Sequence, residues 1–384
     1  MAELEVELVS ELEALDALAP EWDELAVAAR QPMTAPAWML TLWRHLRAPE
    51  EQARVVAVRE RGRLVGLAPL AAGVGLPGRV EYRLMVPEIP RTSPLALPGR
   101  EWEVGAAIAG ALDRAQPRPD VVLLESAPLD TCWPLALAAG WPGRLRPPLR
   151  QYAVVGSPVV SLGDASFDAW LARRSSNFRG QMRRARRQFE AAGGVSRAST
   201  QASLHDDLAT FMRLHADRWE GRGDSPIVAL GERLAAAFEA VGRLLLDSGR
   251  FRLRLLELEG EAISAQLFGE AGGEVLYYNG GWDERFARFK PAQLSIFDAI
   301  EECFERGDAR MDLGPGQQPY KLRFADGDDP VAWNVLAVPG RRLPLTLART
   351  LPEIGSRELR AAAKRALSGA QADRLRELRG RLRR

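Results

Sequence analysis

An α/β (α+β) chain of two domains, with mixed and mostly antiparallel sheets flanked by helices, is the fold that this sequence predicts. Three observations point there. The length of 384 residues suits two domains of ordinary size. Residues 251–281 hold three successive period-two segments separated by tight turns at Glu259-Gly260 and Gly272-Gly273, which read as adjacent antiparallel strands. Segments with a helical apolar period lie on both sides of that triplet, as a layered α/β core requires.

The elements follow in order. Residues 3–8 alternate weakly and read as a strand. Residues 11–29 read as a helix, with Leu12, Leu15, Leu18, Trp22, Leu25 and Ala29 on one face. A second helix fits 36–46. Strands at 54–59 and 64–71 meet at Arg61-Gly62, a hairpin signal. A helix at 101–115 and the apolar strand 121–124 complete this half. Pro142, Pro147, Pro148 and Pro158 punctuate 141–158, so the domain boundary is expected near 150–155. A helical stretch at 167–192 ends at Gly193-Gly194, and helices at 202–220 and 229–248 precede the strand triplet. A helix at 291–306 opens with Pro291, a preferred first-turn residue. Strands at 309–313 and 331–338 follow, then helical segments to the end.

Composition narrows the function. Hydrophobic residues make up 46% and charged residues 27%, the balance of a globular chain. A net charge of +1 supplies no global field that selects nucleic acid or membrane. Two cysteines, Cys132 and Cys303, and three histidines, His45, His205 and His215, make neither a disulfide framework nor a zinc centre. No metal is expected. The acidic opening MAELEVELVSELE lacks the basic region of a signal peptide, and no uncharged run is long enough to span a bilayer. A cytoplasmic protein is therefore expected. Of 52 basic residues only Lys290, Lys321 and Lys364 are lysines, so each marks a place where a compact, deprotonatable ammonium could be needed.

Four stretches could carry chemistry. The strand–loop–helix at 274–306 places Arg285, Arg288 and Lys290 just ahead of a helix N-terminus, where free amides and the dipole favour anions such as a pyrophosphate. The stretch 311–324, MDLGPGQQPYKLRF, brings Tyr320 and Lys321 after a strand end and two glycines. There a lysine could stabilise developing negative charge or hold a phosphate. The helix at 173–187 has seven arginines and no acid, which suits a phosphate-bearing partner. The stretch 357–384 carries ten basic residues against three acids and a leucine stripe, so weak peripheral membrane contact is expected of it. His215, in MRLHADRW, reads as a core histidine.

RLHADRW (213–219), FRLRLLELEGEAISAQLFGE (251–270), LYYNGGWDERFARFKPAQL (276–294), AIEECFERGDARMDLGPG (299–316) and PYKLRF (319–324) together resemble the GNAT-superfamily acyltransferases of the CelD/BcsL, or BioF2-like, type. The first half resembles them through APEW (19–22), APAWMLTLWR (35–44) and RVVAVRERGRLVGLAPL (54–70). More distantly the chain is similar to the Fem-type aminoacyl transferases. The resemblance implies two tandem GNAT-like domains, 1–152 and 153–340, followed by a basic helical tail, 341–384. It implies an acyl-CoA donor, or a similar activated acyl group, and transfer to an amine or hydroxyl acceptor, in polysaccharide or cell-envelope metabolism. Arg285, Arg288, Lys290, Ala292 and Gln293 are the expected donor-binding residues. The GNAT cofactor loop has a middle glycine where this chain has Pro291. Lys321, Tyr278, Asp283 and Tyr320 are the catalytic candidates. The acceptor is expected to be a small molecule or a nucleotide-linked glycan precursor. Nucleic acid is not expected, except tRNA if the chain is a tRNA-dependent aminoacyl transferase of Fem type. The missing glycine also leaves open a degenerate GNAT-fold binding module.

Overall fold

A computed structural model describes residues 3–74, 78–87, 89–220 and 225–366. The first sheet is built from β1 (Leu4–Val9), β2 (Gln52–Glu60), β3 (Arg63–Val74), β4 (Val80–Leu84), β5 (Leu95–Ala96), β6 (Val121–Pro128) and β7 (Leu149–Val155). The second contains β8 (Pro158–Ser161), β9 (Val195–Ala198), β10 (Phe251–Leu258), β11 (Glu261–Ala271), β12 (Glu274–Trp282), β13 (Arg310–Asp312) and β14 (Gly327–Asp328). A last strand, β15 (Val331–Ala337), returns to the first sheet. The strand orders are β1-β2-β3-β4-β6-β15-β7, with β5 on β3, and β14-β8-β13-β12-β11-β10-β9. Each sheet has one parallel pair, β4 with β6 and β12 with β13, among antiparallel neighbours. The mixed, mostly antiparallel plan expected from the strand triplet is the plan observed.

The helices are α1 (Leu12–Ala28), α2 (Pro36–Leu46), α3 (Glu101–Arg114), α4 (Trp133–Gly140), α5 (Phe167–Ala172), α6 (Ser176–Ala191), α7 (Leu204–Trp219), α8 (Pro226–Leu245), α9 (Pro291–Arg306), α10 (Pro319–Leu322) and α11 (Leu343–Ala366). The stretch read as one helix over 167–192 is two, because the Ser175 hydroxyl accepts from the Phe178 amide and caps a fresh start. Each parallel pair is joined by a crossover helix, α3 or α9, so the two units repeat one plan.

Two strands depart from the sequence reading. β7 straddles the division at 152/153. β15, counted there with the second unit, pairs with β6 and β7 of the first. Its run of apolar residues says strand but not which sheet, and the free edges of β6 and β7 take it. The chain crosses between the units twice, and one core joins them. Trp38 from α2 lies 5.6 Å from the Phe251 ring and 6.3 Å from Tyr278, both of the second unit. Such a buried ring contributes about 2–3 kcal/mol.

Among the described residues no helix is long and apolar enough to cross a membrane. Residues 367–384, with most of the basic stretch for which membrane contact is expected, lie outside the described residues.

Candidate active site

The parallel pairing of β12 with β13 is short. It stops at Leu276 opposite Asp312, and β12 runs on to Trp282 while the chain after β13 turns away at Gly314. On its other edge β12 has a bulge: Phe268 pairs with Tyr277, Leu267 pairs with Asn279, and Tyr278 is the extra residue. A bulge bends the strand and takes a residue out of the ladder. The second half of β12 therefore borders a cleft of about 700 Å³.

Each wall has a local cause. α7 crosses β12 so closely that a Cβ on Gly281 would lie 2.3 Å from the Leu214 carbonyl carbon; only glycine permits this approach. The crossing brings Arg218 and Trp219 to the rim. Arg218 sits 4.9 Å over the Trp282 ring and pairs with Glu284 at 2.7 Å. Opposite stands the first turn of α9. Lys290 takes a left-handed conformation, φ 54°, which aims the helix start at the cleft, and Pro291, Ala292 and Gln293 line it. Pro291 has no N–H to offer, so Ala292 carries the first available amide of the turn. The Lys290 ammonium donates to Gln181 Oε1 at 2.8 Å.

Gln266 lies on the floor, 1% exposed. Its Nε2 donates to the Ala292 carbonyl at 2.8 Å. A carbonyl only accepts, so the amide orientation is fixed. Its Oε1 is buried with no hydrogen-bond partner, an acceptor ready for a ligand N–H. Above it two phenols meet. Tyr277 donates to Tyr320, and burial raises both above the ordinary phenol range. Tyr320 thus stays protonated at neutral pH and can act as a proton donor.

The sequence-derived candidates divide. Lys290, Ala292, Gln293 and Tyr320 line the cleft. Tyr278 does not: its ring packs 5.3 Å from Phe238 on the opposite face, since neighbours on a strand point opposite ways. Asp283 caps the Arg285 amide at 2.9 Å, and the Arg285 side chain lowers its pKa, which makes it a weak base. Arg285 bonds Glu261 and Asp283, and Arg288 lies 4.6 Å over the Phe289 ring; neither reaches the cleft. Lys321 is 4% exposed, just behind the wall. Its Nζ donates to the Gly314 carbonyl at 3.0 Å and lies 5.7 Å from the centre of the Tyr277 ring. Burial lowers its pKa to about 8. His215 is buried as expected, and its Nε2 is 2.9 Å from Ser225 Oγ. Arg218, Gln266 and Tyr277 also line the cleft, and no sequence pattern marks them as site residues. The nearest thing to a signal is the second tyrosine beside Tyr278.

This crossover has known counterparts. Residues 176–322, from α6 to α10, match the family model described as an acetyltransferase (GNAT) domain. Over these residues the chain is similar to GNAT-type acetyltransferase domains. The GNAT segment contains the cleft, the α9 start and Tyr320. Three solved structures share the fold of most of the chain. FemX is 14% identical with a TM-score of 0.60, over 88% of this chain and 98% of its own. A C-terminal domain assigned to a lysylphosphatidylglycerol synthetase of Agrobacterium fabrum is 9% identical with a TM-score of 0.56, over 88% and 96%. A conserved protein of unknown function from Bacteroides thetaiotaomicron is 10% identical with a TM-score of 0.53, over 88% and 100%. No curated protein matches the sequence.

Proposed function

We propose that the chain is a cytoplasmic acyltransferase that moves an acyl group from a CoA thioester to an amine or hydroxyl on a small molecule or nucleotide-linked glycan precursor of the cell envelope. The observation that carries this reading is one cleft holding both an anion-directed helix start and a buried phenol. The Ala292 amide, Gln293 and Lys290 would hold the donor's phosphates. The unpartnered Gln266 oxygen would accept from an amide of the donor's arm. The acceptor attacks the thioester carbonyl carbon. An amide N–H of β12 beyond the end of its pairing with β13 would stabilise the oxyanion, and the thiolate leaves with a proton from Tyr320, whose phenolate regains one from the N–H or O–H of the acceptor. Lys321 fixes the turn at Gly314 and stands behind Tyr277 as a positioning residue. Mass spectrometry of the protein purified from its host tests the donor. Retained CoA or acyl-CoA is the expected result; a different retained donor rejects this one.

One observation favours a second reading, an aminoacyl transferase using charged tRNA. Arg183, Arg184 and Arg187 are exposed on α6, and Gln181 of the same helix bonds Lys290 at the cleft. Arg173, Arg174 and Arg186 of this stretch are ion-paired with acids instead. Binding of charged tRNA that weakens steeply with salt supports this reading; no RNA retained at low salt removes it.

A further inference from the structure

A second cavity, of about 800 Å³, opens where the two units meet. No residue lines both it and the cleft beside α9. Its walls are mixed: Pro32, Pro94, Pro98, Trp133 and Leu276 form an apolar part beside charged and polar side chains. Glu274, the first residue of β12, lines it at 8% exposure, and the Glu274 Oε1 atom is buried without a hydrogen-bond partner. Arg310 Nη1 pairs with it at 3.4 Å, without a hydrogen bond. Arg310 is shared with Asp329, and Arg91 is taken by Asp312 at 2.9 Å. Three carboxylates, Glu274, Asp312 and Asp329, therefore share two guanidiniums. With all three ionised the cluster holds one more negative charge than it has guanidiniums, and burying excess charge is costly. The other lining charges, Arg30, Glu101 and Asp130, do not reverse that balance.

We propose that this cavity is a second small-molecule site, which takes a primary ammonium group on a short apolar body through the Glu274 carboxylate. The prolines and Trp133 receive the body, and the ammonium supplies the missing charge. Burial and the neighbouring Asp312 and Asp329 raise the Glu274 carboxyl to about 7, against the opposing pull of Arg310 and Arg91. Below that pH an arriving ammonium must displace a proton.

Titration calorimetry of the full chain with hexylamine, and with hexanol as its uncharged counterpart, tests the site. Hexylamine is expected to bind at least about tenfold more tightly than hexanol, and to release protons on binding below pH 7. Glu274→Gln keeps the shape and removes the charge, and is expected to erase the preference. Ala28→Trp, at an exposed lining position, is expected to block both ligands. Hexylamine that binds no tighter than hexanol, or that binds wild type and Glu274→Gln alike, overturns the proposal. Where Glu274→Gln does not fold, undiminished binding to Ala28→Trp overturns it instead.

Discussion

Two side chains in the GNAT segment carry opposite burdens. Tyr320 is a phenol kept neutral by burial, which is the form a proton donor needs. Tyr320→Phe removes the proton and keeps the ring. It should lower kcat by about a hundredfold or more, with donor affinity unchanged; steady-state kinetics with separate donor titration checks this. Lys321 pays a desolvation cost for sitting behind Tyr277. Its folded pKa of about 8 lies below the ordinary 10.5, so between those values the unfolded chain binds more protons. Stability therefore rises with pH across that window. At low pH the buried charge costs about 3 kcal/mol. Denaturant titrations across that window should show wild type gaining by that amount relative to Lys321→Met. An equal slope in both would mean that Lys321 is neutral or solvated.

At the scale of elements, the site depends on how closely α7 lies on β12. The Cβ of a side chain at position 281 meets backbone, which cannot swing away. Gly281→Val should therefore destabilise the chain by about 1–3 kcal/mol, measured by denaturant unfolding, and should open the crossing that brings Arg218 to the cleft. Much at this scale was legible in the sequence. The hairpins announced themselves through Arg61-Gly62, Glu259-Gly260 and Gly272-Gly273, and α9 through Pro291. β7 and β8 were not legible, because Pro147, Pro148 and Pro158 read as linker, whereas Pro148 and Pro158 flank or begin edge-type pairings where a missing N–H is tolerated. The exchange of Tyr278 for Tyr277 has the same root. Alternation reports that two neighbours face opposite ways, and a bulge shifts that parity; neither says which face is the cleft. Lys290, Ala292 and Gln293 were legible because a helix start is a local feature.

Across the whole molecule, the first unit reaches into the second. Arg91, in the loop after β4, pairs with Asp312, which is wholly buried. Asp312 Oδ1 in turn accepts from the Gly314 amide at 2.7 Å and from Ser157 Oγ at 2.6 Å. Gly314 holds Lys321, so the turn beside the cleft is tied to the first unit through one buried ion pair. Breaking such a pair from one side leaves an uncompensated charge and costs about 3–5 kcal/mol. Arg91→Ala should lose that much stability in equilibrium unfolding. No local pattern foretold this contact, since Arg91 and Asp312 are far apart in the chain and nothing in the 311–324 stretch points to a partner in the first unit.

The central claim is that the cleft between β12 and the start of α9 holds a thioester donor by its phosphates. Titration calorimetry with acetyl-CoA and a panel of longer acyl-CoAs tests it most directly, on wild type, Lys290→Ala and Arg288→Ala. The account expects one donor bound per chain, weakened about tenfold by Lys290→Ala and unchanged by Arg288→Ala, whose guanidinium lies over Phe289. No binding of any acyl-CoA, or equal binding by wild type and Lys290→Ala, would contradict it.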